Sequence, residues 1–587
     1  VTLHARPAWL AVLLLILLVQ AAMAAAGLSP ILAGALADSD GYERLNRVLK
    51  LAADGAWYDS RWPLSNAPFG QVLHWTRPLD LMLLLGGWMG AAFLPFETAL
   101  YGWGVAISPV LALLLVPVLS WGTRPYLSDR AFLALGVFLA LQGGLMNFFM
   151  AARPDHHSLI LLLAALLLAF LLRLLGEPER AGLANWAGSA GGLAVWVSVE
   201  SLVPALIVGL GLGLVWVREG GPYLRLAARY ALALTLASLA ALMLERPPGD
   251  WSAIEFDRLS IVHPTIFAAT AASLALLIRI GPRSPTGRLA AALGFGPAVG
   301  GLALAMFPRL MGGVFADTPP EIVRVFDSIS EYRPLWPSSL AALQGLVEHL
   351  GGTTLALASC AILLRRGSAH ERRVALALAL GLLIFAGLAM VQLRWAAHAQ
   401  ILSLLPLAWL ARLLWHRLES PRRALALVGL LAGPPLLAAA LGPPPGGSAF
   451  ARPPESCRWP AMRQTLIETT MPGRILVTHI FPGPALVYGT ARGIVGTPYH
   501  RNPQGIADTL AIFADPGDHR ARALVAGRGI DLVLVCPDST EGRWLLARAE
   551  GDSLYRRLAE DRPPVWLESL PLDGARVGPF RLYRVRR

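Results

Sequence analysis

Pro154-Asp155-His156-His157-Ser158 places an acid and two imidazoles between apolar runs rich in Leu, Ala, Phe and Val. Ionisable groups beside hydrocarbon are costly, and they mark function more often than filler. The face of the membrane on which this stretch lies decides how the chain is organised around it.

Working outward, 55% of the 587 residues are hydrophobic and only 15% are charged. Most of the length falls into apolar runs near the roughly 17–25 residues that cross a bilayer. The formal net charge of +12 does not point to nucleic acid, because most of the basic residues occupy short connectors between these runs. The runs lie at 10–25, 102–120, 131–149, 157–174, 184–199, 201–217, 224–243, 264–279, 288–307, 351–364, 374–392, 396–413 and 424–440. Leu79–Leu94 is ambiguous. The connectors with Arg124/Arg130, Arg173/Arg180, Arg218/Arg225, Arg279/Arg283/Arg288, Arg365–Arg373 and Arg412–Arg423 should be cytoplasmic by the positive-inside rule. They alternate correctly only if 79–94 is an interfacial or re-entrant helix. The expectation is therefore a polytopic α-helical protein of about 13 spans, with the N-terminus inside and the first run retained as a span.

That alternation sends several segments to the external face. They are an acidic, Trp-rich segment at 28–101, the Asp155 stretch, the 245–260 connector, the loop at 308–350 and the tail. The domain reading is a membrane domain over 1–440 and an exported α/β domain over 441–587. A Pro/Gly linker at Gly442–Gly447 would join them. Strand-like runs are expected at Arg474–Thr478, Ala485–Tyr488 and Ile530–Val535, and helices at 505–514 and 519–526. Cys457 and Cys536 fall in the tail and are free to pair if it is exported.

Asp155 and His157, two apart, can face one cation in an extended loop; equally, Asp155 can cap the helix that follows. Asp40, with Asp38 nearby, is a further carboxylate on the same side or a capping acid. Glu331 sits in Ser328-Ile329-Ser330-Glu331, within a loop that also carries Asp317, Glu321, Arg324 and Asp327. Arg394, at the external end of a span, can grip a phosphate bidentately or snorkel to headgroups.

In this order the motifs resemble those of the oligosaccharyltransferase catalytic subunit, within the GT-C membrane glycosyltransferases that use polyprenyl-linked donors. In that family an Asp-x-Tyr-like motif opens the first external loop, matched by Asp40-Gly41-Tyr42. An acidic motif in the second is matched by Asp155-His156-His157. A Ser-Val-Ser-Glu motif is matched by Ser328–Glu331, and a phosphate-binding Arg by Arg394. The family has 13 spans, an amphipathic segment like 79–94, and an exported C-terminal domain. Its Trp-Trp-Asp-Tyr-Gly acceptor motif is absent here. The comparable stretches read Val477-Thr478-His479-Ile480-Phe481-Pro482-Gly483-Pro484 and Gly496-Thr497-Pro498-Tyr499-His500-Arg501-Asn502.

The resemblance implies transfer of a sugar or glycan from a polyprenyl phosphate or diphosphate to an external glycan, lipid or protein acceptor. Asp40, Asp155 and Glu331 would be catalytic. Asp40, Asp155 and His157 would hold Mn²⁺ or Mg²⁺, and Asp40 would also assist deprotonation of the acceptor. Arg394 would bind the donor phosphate, and His479, Tyr499, His500 and Arg501 would meet the acceptor. The expected location is the bacterial plasma membrane among its lipids, with the tail periplasmic and no obligate protein partner. Two alternatives are a protein N-oligosaccharyltransferase with a diverged acceptor pocket and a flippase for lipid-linked glycans. The chain shows no internal repeat of the kind transporters carry.

Overall fold

The computed structural model describes residues 3–316, 318–326, 329–441, 456–469, 473–548 and 551–586. Asp317, Asp327, Ser328, the Glu321 side chain and the expected linker Gly442–Gly447 lie outside the described residues.

Eleven helices among the described residues are long and apolar enough to cross a membrane, from Arg6–Ala25 to Arg422–Ala440. The other two expected crossings are helical but shorter. The 131–149 run divides at Gln142, where φ −80° and ψ 79° interrupt the ladder, into Asp129–Leu141 and Gly143–Phe148. The 184–199 run forms Gly182–Val197, 16 residues and about 24 Å long. The ambiguous 79–94 run is the 14-residue helix Arg77–Gly90, whose length of about 21 Å falls short of the hydrocarbon core. It packs beside Phe96–Thr123.

The segment between Arg6–Ala25 and Phe96–Thr123 is fixed by a buried charge cluster. Asp80, with no exposed side-chain surface, meets Arg44 Nη1 at 3.0 Å, Arg47 Nη2 at 2.7 Å and Arg77 Nη1 at 3.3 Å. Burial pushes the Asp80 carboxyl up, but the three guanidiniums outweigh it and hold it below its ordinary value. The cluster locks the helix Ser39–Asp54, capped by Asp38 accepting from the Gly41 N–H, against Arg77–Gly90. Gly41 lets this helix start close to the Pro154 stretch, because a Cβ there would stand 3.1 Å from Pro154 Cδ.

The tail forms a five-stranded sheet of β3 (Ile475–Val477), β4 (Gly493–Ile494), β5 (Ile530–Val535), β6 (Leu567–Leu570) and β7 (Arg581–Val585). Its order is β4-β3-β5-β7-β6, with the first three strands parallel and the last two pairings antiparallel. β5 is buried throughout, since Val533 and Val535 face one apolar cluster and Leu532 and Leu534 the other. The strand expected at Ala485–Tyr488 is instead covered mostly by the short helix Gly483–Val487. Pro484 supplies no N–H for a ladder but fits a helix's first turn. The expected helices form as Pro503–Ala514 and His519–Arg528. Cys457 and Cys536 are disulfide-bonded.

The sheet region sits on the segment before Phe96–Thr123, whose hairpin pairs β1 (Arg61–Trp62) with β2 (Gln71–Val72). The Ile494 N–H donates to Leu64 O at 2.7 Å, the Ala67 N–H to Ile494 O at 2.9 Å, and Arg528 Nη1 to Ala67 O at 2.7 Å.

Replacing Asp80 with Ala would leave three buried guanidiniums without their shared counter-charge, at a cost of about 3–5 kcal/mol. The expected outcome is a marked fall in the Tm of the purified protein; an unchanged Tm would show that the cluster does not hold the segment between Arg6–Ala25 and Phe96–Thr123.

Candidate functional site

One solvent-open cavity, with about 1190 Å³ of empty space, gathers side chains from every segment that the charge alternation sends outside. Asp38 and Asp40 come from the start of the helix Ser39–Asp54, Asp155 from the N-cap of His156–Gly176, and Glu331 from the loop before Leu340–Arg366. Arg394 enters from the turn between two late spans, and Tyr499 and His500 from the tail.

Asp155 is both cap and ligand-like carboxylate, so the two readings of the motif are compatible. Its Oδ1 accepts from the His156 backbone N–H and lies 2.6 Å from His156 Nδ1. Its Oδ2 lies 2.5 Å from His157 Nδ1. With Nδ1 directed at Asp155, His157 presents Nε2 to the cavity. That atom is buried and has no hydrogen-bond partner. It stands 3.8 Å from Glu331 Oε2 and 3.9 Å from Glu200 Oε2. Burial pushes Asp155 up, but the two imidazoles hold its carboxyl well below the ordinary range.

Arg153, to which the sequence pattern drew no attention, joins three segments. Its Nη2 donates to Glu331, its Nε is 3.1 Å from Asp38 Oδ2, and its Nη2 is 3.9 Å from Asp155 Oδ2. Burial pushes Glu331 up, but Arg153 and then His157 more than offset this and lower it. Arg394 is committed to Glu200, with Nη1 2.5 Å from Oε1, and its guanidinium covers the Tyr332 ring at 4.6 Å. Its Nε is buried without a partner. Glu200 was also missed. Its signal was a lone acid between two apolar runs, on the side where Arg394 emerges.

Asp40 lines the same cavity but stands outside the two groups whose ligand atoms lie within 4.8 Å of one another, Asp155 with His156 and His157, and His74 with Asp257 and His500. Burial, then the charges of Asp155 and Asp38, raise its carboxyl well above the ordinary range. On this side of the cavity five carboxylates, Asp38, Asp40, Asp155, Glu200 and Glu331, face two guanidiniums, Arg153 and Arg394. An unpartnered imidazole nitrogen beside surplus carboxylates is a donor set that fits a hard to borderline divalent cation.

The tail residues divide. Tyr499 is 3% exposed, its hydroxyl 3.4 Å from Ser39 O; burial and then Asp40 push it well above its ordinary value. His500 Nε2 is 2.6 Å from Asp257 Oδ2. Arg501 donates to Asp257 and to Glu255. His74, also missed, packs its ring 4.4 Å from that of His500, and burial followed by His500 holds it well below its ordinary value. His479 is not part of the cavity. It is fully buried under the sheet, with Nε2 2.8 Å from the Tyr555 hydroxyl and Nδ1 3.0 Å from Ser539 Oγ.

By sequence, no protein-family model and no curated protein matches the chain. By structure, it is similar to the Archaeoglobus fulgidus oligosaccharyltransferase tethered with an acceptor peptide. The TM-score is 0.67 at 14% identity, covering 90% of this chain and 68% of that one. The archaeal oligosaccharyltransferase AglB from the same organism, in complex with an inhibitory peptide and a dolichol-phosphate, matches with TM-score 0.66 at 14% identity over 91% and 69%. The mycobacterial arabinofuranosyltransferase AftD matches with TM-score 0.52 at 18% identity, covering 100% of this chain but only 42% of that one. The fold is of the GT-C, oligosaccharyltransferase-like kind.

If Asp40 is a ligand, it is protonated without metal and ionised with it. Divalent cation affinity should then rise with pH above the ordinary carboxylate range, by up to about tenfold per pH unit for the Asp40 proton, with loss of any proton on the His157 ligand adding to the rise. The Mn²⁺-induced Tm shift across a pH series measures this, and Asp40→Asn should flatten it. A profile unchanged by Asp40→Asn would remove Asp40 from the ligand set.

Proposed function

We propose that the chain transfers a sugar or glycan from a polyprenyl phosphate or diphosphate to an acceptor on the external face of the bacterial plasma membrane. The observation that carries this reading is the convergence of Asp40, Asp155, His157, Glu331 and Arg394 at one cavity of a GT-C-like fold. The dolichol-phosphate in the AglB complex supports a lipid-phosphate donor. The Cys457–Cys536 disulfide favours an oxidising compartment, and so an exported 441–587 region above a membrane domain over 1–440.

Asp40, His157 and Glu331, with Asp155 through its remaining lone pairs, are the residues that would hold Mn²⁺ or Mg²⁺; the zinc and sulfate in another Archaeoglobus fulgidus oligosaccharyltransferase structure support a metal reading. When bound, the cation supplies positive charge to the departing phosphate oxygens. The chain's own groups do the rest. Asp155 fixes the His157 ring so that Nε2 faces the cavity, and Arg153 holds Glu331 and Asp38 in place while balancing part of their charge. Arg394 uses its unpartnered Nε and its fork to take the phosphate, with Glu200 orienting it. Tyr332 packs against its other face.

Arg394→Ala should weaken binding of undecaprenyl phosphate to the full chain in nanodiscs by at least about tenfold, the equivalent of roughly 1.4 kcal/mol, measured below the Tm of the variant, which should fall because Glu200 loses its counter-charge. Unchanged binding would refute the phosphate role. Asp155→Ala should abolish transfer, seen by mass spectrometry of envelope glycans, lipids and proteins as loss of one glycosylated product. Accumulation of lipid-linked donor on the cytoplasmic face instead would favour the flippase reading.

A further inference from the structure

A second cavity, with about 860 Å³ of empty space, adjoins the first and shares Asp257, Val314 and His500 with it. Its remaining wall includes Glu255, Phe256, Thr318 and Arg501. Both carboxylates there are already paired. Arg501 holds Asp257 and Glu255, and Arg246 and Arg258 also hold Glu255. The wall is thus one of carboxylates and guanidiniums fixed by one another. It offers fixed donors and acceptors to a neutral, hydroxyl-rich ligand, and Phe256 offers an apolar face.

His500 stands in the partition between the two cavities. Its Nε2 is paired with Asp257 Oδ2 at 2.6 Å, so with Nε2 donating, Nδ1 is the basic atom. Among the described residues, Nδ1 makes no hydrogen bond to protein, and the His500 side chain keeps 12% of its surface exposed.

Resting on the transfer reading above, we propose that the second cavity binds a carbohydrate acceptor and that one of its hydroxyls is delivered over His500. The acceptor O–H proton passes to His500 Nδ1, and Asp257 stabilises the imidazolium. The freed oxygen pair forms the new bond to the anomeric carbon. The bond from that carbon to the donor phosphate oxygen breaks, and its electron pair leaves on the phosphate. His500 is a catalytic residue on this account. Asp257 is a positioning residue, and Phe256 sets acceptor affinity.

Two measurements on the full chain in nanodiscs test this. In saturation-transfer NMR, a panel of short arabinan, mannan, galactan and N-acetylglucosamine oligosaccharides is compared with an Asn-X-Thr peptide. At least one oligosaccharide should give signal, weakened by Phe256→Ala, and the peptide should give none. Signal from the peptide alone, or from no oligosaccharide, overturns the proposal. In the second measurement, synthetic polyprenyl-phosphate and polyprenyl-diphosphate monosaccharides are supplied with Mn²⁺. His500→Ala should lower transfer to the bound oligosaccharide by about 10²–10⁴-fold while hydrolysis of donor by water continues. Phe256→Ala should raise the acceptor KM with little change in kcat. Transfer by His500→Ala at the wild-type rate overturns the role of His500. If oligosaccharides bind but no donor is cleaved by the unaltered chain, the transfer reading fails and the carbohydrate site stands.

Discussion

Arg153 is the constraint on which the site depends. A single guanidinium reaches Asp38, Glu331 and, at longer range, Asp155, and so ties together three segments far apart in sequence. Without it, burying those acids around one cavity would set like charges against one another with no protein counter-charge at their centre. Even with Arg153 and Arg394 present, carboxylates outnumber guanidiniums on that side, and the excess gathers beside an imidazole nitrogen that no protein group uses. The same imbalance that would destabilise an empty fold creates a place for a cation.

The scaffold makes this tolerable by fixing each contributing segment independently. The Asp80 cluster anchors the helix that begins at Ser39, so Asp38 and Asp40 are delivered to the cavity by a rigid element. Asp155 caps its own helix, so the loop that carries the acid is held by the span that follows. The tail closes the site through backbone hydrogen bonds from β4 to the segment before Phe96–Thr123, which brings Tyr499 against Asp40 and His500 into the cavity wall. Charge pairing differs on the two sides of that wall. The Asp40–Asp155–Glu331 side is under-neutralised, as suits a phosphate and a cation, and on the other side Glu255 and Asp257 are each held by a guanidinium, as suits a neutral partner.

Much of the architecture was legible because membranes impose simple rules. Apolar length locates the spans, and the Arg-rich connectors assign faces. That reasoning alone grouped Asp40, Asp155, Glu331 and Arg394 on one side and left out 79–94, which the structure forms as a helix too short to cross. It failed where length and composition do not decide. The 131–149 run breaks at Gln142, and 485–488 reads as strand though Pro484 starts a helical turn. His479 has the same local look as His500 yet is enclosed by Tyr555 and Ser539.

The sequence by itself determined the membrane class, the grouping of the acidic motifs on one side and the β5 strand, because hydropathy, charge and an unbroken apolar run are local properties. Only the tertiary structure decided which charges pair. Arg153, His74 and Asp257 carry no local mark of their role, Glu200 shows only as a lone acid between apolar runs, and most of their partners are dozens to hundreds of residues away. The strength of an ion pair depends on distance and burial, neither of which is written in the order of residues. For the same reason the Pro154–Ser158 stretch, from which the organisation of the chain can be worked out, does not reveal that Asp155 serves as helix cap and as the group that orients His157.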